Sequence, residues 1–131
     1  GVDYTLINEE WKVFLQTRKL KQDTQVFRAG WIGDYNDPYT FLELMHSKHG
    51  INDSGYNNPE YDALLAEISV QTDMDRRAKL MEQAERMLLA DQPIMPIYYY
   101  VEKGLVKPYV DGFVPNIMDH HYTKNWRILA H

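Results

Sequence analysis

The residues best suited to chemistry are clustered in Arg28-Ala29-Gly30-Trp31-Ile32-Gly33-Asp34-Tyr35-Asn36-Asp37-Pro38. Arg28 and Asp34 can hold the opposite charges of a zwitterion, and Trp31 offers a large rigid apolar face. Gly30 and Gly33 let a ligand's backbone come close. This set of side chains predicts a recognition loop for a small charged molecule.

Each of these residues also has a plainer use. Asp34 can close an Asx turn, although its place between a strand end and a helix start is where ligands of α/β sheets collect. Arg28 lies in an apolar run, where a guanidinium needs an acid; Asp34 can supply one in the empty state or share the charge with a ligand. Asp37 followed by Pro38 has the pattern of an N-cap and first helical residue, so Asp37 already has a structural task. In Pro96-Ile97-Tyr98-Tyr99-Tyr100-Val101, the alternation puts Tyr98 and Tyr100 on one face and Tyr99 on the other. One face is expected in a core, and the tyrosines serve either an aromatic sheet or a groove lined by hydroxyls.

Metal and nucleophile chemistry have weaker support. His46 and His49, and the adjacent His120 and His121, lack a carboxylate at a recognised ligand spacing. Ser47, Ser54 and Ser69 have no elbow motif and no evident base. An acid-dependent hydrolase built on Asp34 and Asp37 remains as an enzymatic alternative, weakened by the capping use of Asp37 and by the lack of a positioned nucleophile.

The elements around the loop follow from periodicity. Val2, Tyr4 and Leu6 alternate with polar residues, predicting a strand. A helix follows, with Asn8 as its cap and Trp11, Phe14, Leu15 and Arg18 on one face. Val26 to Trp31 reads as a second strand, leading through the recognition loop into a helix with Phe41, Leu42, Leu44 and Met45. Residues 47–58 form a loop rich in Gly, Asn, Ser and Asp, of a length that is often functional. Asn58 and Pro59 open a helix with Tyr61, Leu64, Leu65 and Ile68 on its apolar face. Thr72 and Asp75 resemble a capping box for a long amphipathic helix reaching about Ala90. Ile94 to Val101 and Leu105 to Lys107 read as strands joined at Lys103-Gly104, with Pro108 marking an edge. Residues 111–124 are expected to be irregular, ahead of a last strand at Trp126 to Leu129.

Composition limits the classes of partner. Ten tyrosines and three tryptophans favour a binding surface, because such rings supply contact area at low entropic cost. The net charge of −5 lacks the basic stripe that tracks a phosphate backbone, which argues against nucleic acid. The absence of cysteine removes disulfides and thiolate chemistry and fits any redox compartment. The opening Gly1-Val2-Asp3-Tyr4, with no initiating methionine, predicts a start inside a larger protein.

Four blocks in order carry a family resemblance: Asn8-Glu9-Glu10-Trp11, Arg28 through Pro38, Pro96 through Val101, and Leu105-Val106-Lys107-Pro108. Across essentially its whole length the chain resembles the C-terminal portion of periplasmic oligopeptide-binding proteins of bacterial ABC transporters (solute-binding protein family 5). The murein-tripeptide-binding relatives are close behind. The resemblance implies an α/β fold: part of one lobe of a two-lobed, type II periplasmic-binding-protein-like receptor, with a mixed sheet flanked by helices. Residues 1–101 would be the latter part of the second lobe, and residues 102–131 a segment returning toward the first.

The implied function is capture of short peptides in extended form, with little side-chain specificity, for a membrane permease. The implied protein is a periplasmic monomer that is not an enzyme and needs no cofactor or metal. Murein tripeptides, dipeptides and metal complexes remain alternative ligands. Carried over residue by residue, Asp34 matches the acid that pairs with a peptide's α-ammonium. Arg28 and Arg18 match arginines lining the groove, and Gly30, Trp31, Ile32 and Tyr100 match contact positions. The connector between Arg18 and Arg28 is one residue longer than the family's, and oligopeptide members often have a small residue in place of Ile32.

Overall fold

The computed structural model describes residues 1–116 and 118–131. It contains helices α1 (Trp11–Leu20), α2 (Tyr39–Leu42, continued by a 3-10 turn at Glu43–Met45), α3 (Pro59–Val70) and α4 (Met74–Asp91). Strands β1 (Val110–Asp111) and β2 (Arg127–Ile128) pair antiparallel, with a 3-10 turn at Thr123–Asn125 between them. Among the described residues no helix is long and apolar enough to cross a membrane.

The core is where the 3.6-residue period placed it. Tyr61, Leu64, Leu65 and Ile68 of α3 are buried against Ala84 and Leu88 of α4 and Leu42 of α2. Each leucine or isoleucine so removed from water contributes about 1.5–3 kcal/mol, so this three-helix contact is the main source of cohesion. The buried Tyr61 hydroxyl donates to the Leu42 carbonyl at 2.8 Å, fixing α2 on α3 without leaving an unpaired polar group. Asn58 caps α3 as expected, accepting from the N–H groups of Glu60 (2.9 Å) and Tyr61 (3.3 Å) with Pro59 in the first turn. Its amide also donates to Asp91 (2.9 Å), as does the Tyr56 hydroxyl (2.6 Å), tying the start of α3 to the end of α4. Burial and the neighbouring Asp91 push the Tyr56 hydroxyl up to about 12.

Two caps differ from their sequence expectations. Glu10 rather than Asn8 caps α1, its carboxylate accepting from the N–H of Lys12 at 2.9 Å, because a glutamate next to the first turn reaches the free amides directly. Asp73 rather than Thr72 caps α4, accepting from the N–H of Arg76 at 3.0 Å. The apolar face expected on α1 is only partly covered: Phe14 and Leu15 are half-buried, and Trp11 is exposed.

The larger difference concerns the strands. Val2, Tyr4 and Leu6, then Val26 to Trp31, Ile94 to Val101 and Leu105 to Lys107 run without ladder pairing. Val2, Leu6, Ile97, Tyr99 and Leu105 are each more than three-quarters exposed. Neither face of the Tyr98–Tyr100 segment is therefore a core, contrary to the sequence expectation. A strand is defined by the backbone groups of a neighbour, and these segments have none in the chain described.

Among the described residues only the last predicted strand pairs, across Arg127 and Ile128. Around it, Phe113 packs on Trp126 and His121 (ring centroids 5.8 and 5.0 Å), and Tyr109 stacks on His131 (3.9 Å). Gly112, at φ +79°, allows this because a Cβ there would collide with the Asn125 carbonyl. Most of residues 111–124 is irregular, as expected, although β1 ends and the 3-10 turn begins inside that span; Ile117 lies outside the described residues.

Candidate functional site

The recognition loop leaves the extended segment at Arg28 and enters α2 at Tyr39, and two anchors, one half-buried and one fully buried, set its shape. Asp37 accepts from the Tyr39 N–H at 2.8 Å, but α2 begins at Tyr39 and Pro38 holds the N-cap position, so the expected pattern of Asp37 as cap and Pro38 as first helical residue is shifted by one residue. Its carboxylate also receives two hydrogen bonds from Arg77 of α4, at 2.6 and 3.1 Å. The Arg77 guanidinium holds the Asp37 carboxyl below the usual carboxylate range, and Arg77 is itself raised by Asp37. The second anchor is Thr40, fully buried, whose hydroxyl accepts from the Asp34 N–H at 3.1 Å.

Asp34 itself is exposed, and among the described residues its carboxylate takes no protein hydrogen bond. Three residues on, Asp37 is fully engaged. The loop thus holds one acid as a structural tie and leaves the other open to a cation from outside the chain.

Among the described residues Arg28 meets no acid, contrary to the expectation that Asp34 would meet it. Its Nη2 donates to the Tyr100 hydroxyl at 2.7 Å and more weakly to Tyr98 at 3.4 Å. At this exposed position hydroxyl partners are enough, since water screens the remaining charge. The Arg28 hydrogen bond raises the arginine and lowers the Tyr98 hydroxyl. Tyr98 and Tyr100 meet edge to face with centroids 5.3 Å apart, so the shared face predicted by alternation is real, but it forms a wall rather than a core.

The glycines serve close packing within the chain. A Cβ on Gly30 would stand 3.0 Å from Cε2 of Tyr100, and one on Gly33 would stand 3.0 Å from Cγ2 of Thr40. At each, a side chain of the protein occupies the space a Cβ would take. Trp31 is 38% exposed and Ile32 69% exposed, so the loop's tip keeps apolar surface free for contact.

Of the predicted site residues, the structure joins Arg28, Gly30 and Tyr100 directly. Trp31, Ile32 and Asp34 follow on the same loop. Arg18 is placed in a separate pair: its Nε donates to Asp53 at 2.8 Å, tying α1 to the 47–58 loop. That loop is ordered by side chains, the Asn52 amide donating to the carbonyls of His46 (3.1 Å) and Tyr56 (2.9 Å). Ser47 donates to Asp62 through both its hydroxyl and its N–H, tying the start of the loop to α3. The Nδ1 atoms of His46 and His49 accept from the N–H groups of Lys48 and Ile51, closing local turns. Sequence reasoning missed Thr40 and Arg77; a threonine just inside a capped helix carries no motif, and Arg77 lies far along the chain.

A cleft of about 180 Å³ lies beside Arg28, lined by Leu6, Phe14, Thr17 and Phe27 among others. Of the predicted site residues Arg28 lines this cleft, whereas Trp31, Asp34 and Tyr100 lie outside its lining.

No family model matches the chain. Individual proteins do. The chain is 44% identical over 133 aligned residues to the periplasmic oligopeptide-binding protein OppA of Escherichia coli, an alignment that covers all of the chain and 24% of that protein. It superposes on the murein tripeptide binding protein MppA of Escherichia coli with a TM-score of 0.88 at 40% identity, covering 100% of this chain and 26% of that one. The Haemophilus influenzae OppA structure, in complex with RPPGFSPFR, matches with a TM-score of 0.83 at 41% identity, over 96% and 25% of the respective chains. The chain thus spans about a quarter of the length of the relatives it matches. The likeness bears out the expected α/β class: the helices and small sheet are consistent with one lobe of that fold.

Proposed function

Because the chain is homologous over its whole length to a segment of the periplasmic peptide-binding proteins, we propose that the protein containing it is the substrate-binding component of a bacterial peptide importer. In this proposal it acts in the periplasm as a monomer, captures short peptides in extended form between two lobes, and hands them to a membrane permease. Residues 1–101 belong to one lobe and residues 102–131 return toward the other. The relatives are named as binding proteins, and the chain is read likewise as a receptor that leaves its ligand intact.

The observation that supports this most is the contrast between Asp37, locked to Arg77, and Asp34, exposed and open at the loop's edge. Asp34 pairs with the peptide's α-ammonium and sets register. Arg28, Gly30, Trp31, Ile32 and Tyr100 form the wall along which the main chain lies, and Arg18 adds a groove-lining cation whose charge Asp53 partly meets. Transport of many peptides needs affinity without sequence preference, so the energy comes from terminal charges and main-chain hydrogen bonds, with side chains in hydrated pockets.

The test is calorimetry on the full-length protein with a panel of tripeptides and tetrapeptides of varied side chains, followed by mass spectrometry of ligand released on denaturation. Comparable affinities across the panel and intact peptide support the receptor. Turnover of any peptide favours the hydrolase. The likeness to a murein tripeptide binding protein makes murein peptide the second ligand to include, and its preferential binding would narrow the substrate class.

A further inference from the structure

We infer that Thr40 is the positioning residue that aims Asp34 at a ligand's ammonium group, a conclusion that rests on the assignment of Asp34 above. Thr40 is polar yet fully buried, and its hydroxyl is directed at the recognition loop, accepting the Asp34 N–H at 3.1 Å. Its Cγ2 lies 3.0 Å from the place a Cβ on Gly33 would occupy, so one threonine holds residues 33 and 34 by a hydrogen bond and by contact. Thr40 is in turn fixed from behind: its N–H donates to the Asp37 carbonyl at 3.2 Å, and the Asp37 carboxylate is clamped by Arg77 of α4. A continuous path thus runs from the long helix to the backbone of the charge-reading residue.

The hydroxyl is what distinguishes positioning from packing. Valine has nearly the same shape as threonine, so filling the cavity does not require the oxygen. Loss of the oxygen frees the Asp34 N–H, the loop then samples more backbone states, and the carboxylate is no longer held to the tolerance that charge recognition needs. Binding that does not use the α-ammonium has no such dependence.

The test uses the full-length protein and two probes, trialanine and N-acetyl-trialanine, with the ratio of their affinities as the readout. Thr40→Val is expected to lower that ratio about tenfold while leaving affinity for the acetylated peptide and the thermal midpoint little changed. Thr40→Ser, which restores the hydroxyl without the methyl, is expected to restore the ratio. Thr40→Ala serves if the valine variant does not fold. Asp34→Asn, measured alongside, separates two failures. An unchanged ratio in Thr40→Val while Asp34→Asn abolishes it overturns the positioning role. An unchanged ratio in Asp34→Asn overturns the assignment of Asp34 and the inference with it. An equal loss for both peptides, or no rescue by serine, shows a merely structural threonine and also overturns the inference.

Discussion

Asp37 and Arg77, separated by 40 positions, meet through two hydrogen bonds of 2.6 and 3.1 Å at the root of the recognition loop. The Asp37 side chain is 25% exposed and that of Arg77 14%, so solvent weakens the pair less than an ion pair at the open surface. The loop's geometry is therefore set by a helix distant in sequence.

The ion pair has a pH signature. The Asp37 carboxyl is lowered from 3.8 in the folded chain, so its contribution is present above that value and is lost as pH falls through the lowered one. Asp37→Asn keeps an oxygen to accept from the Tyr39 N–H and removes the charge. It is expected to cost about 1–2 kcal/mol in urea unfolding at neutral pH, allowing for partial exposure, and the deficit should close in acid. A deficit that is the same at pH 7 and pH 2 would show that something other than the charge is responsible.

Gly30 and Tyr100 are in close contact, and the ring there carries the hydroxyl that receives Arg28. Gly30→Ala inserts a Cβ 3.0 Å from Tyr100 Cε2 and pushes the ring aside. Because the site is exposed, unfolding free energy should move by only about 0.5 kcal/mol. Peptide affinity of the full-length protein should fall about tenfold or more. Unaltered affinity, with a crystal structure showing a displaced ring, would remove this wall from the binding surface.

The isolated chain is expected to bind peptides very weakly. It spans about a quarter of the length of its relatives, so contacts from the remainder are missing while the entropic cost of immobilising a ligand remains. Micromolar binding of a tripeptide to residues 1–131 alone, measured by calorimetry, would mean that these residues suffice for the site.

The helical part of the fold was legible because its determinants are local. Asn58 with Pro59, and the spacing of Tyr61, Leu64, Leu65 and Ile68, specify cap, start and buried face within one segment. The unpaired segments were misread for the converse reason: alternation at Tyr98 and Tyr100 reports which side chains share a face, but pairing depends on a neighbouring backbone that no local pattern names. The site was legible in composition and not in connectivity. Asp34, Arg28 and Trp31 could be picked out as a cluster, whereas the partners of Arg28 lie 70 and 72 positions away and that of Arg18 lies 35 away. Thr40 was invisible because its role depends on a buried hydroxyl meeting one backbone N–H.

The most direct test of the account is the affinity of full-length protein carrying Asp34→Ala for an unmodified tripeptide, measured by calorimetry against the parent protein. Removing one partner of a desolvated charge pair is expected to cost about 2–5 kcal/mol, a loss of roughly thirtyfold or more. Affinity within a factor of about two of the parent, a difference of only about 0.4 kcal/mol, would contradict the central claim that Asp34 reads the peptide's ammonium group.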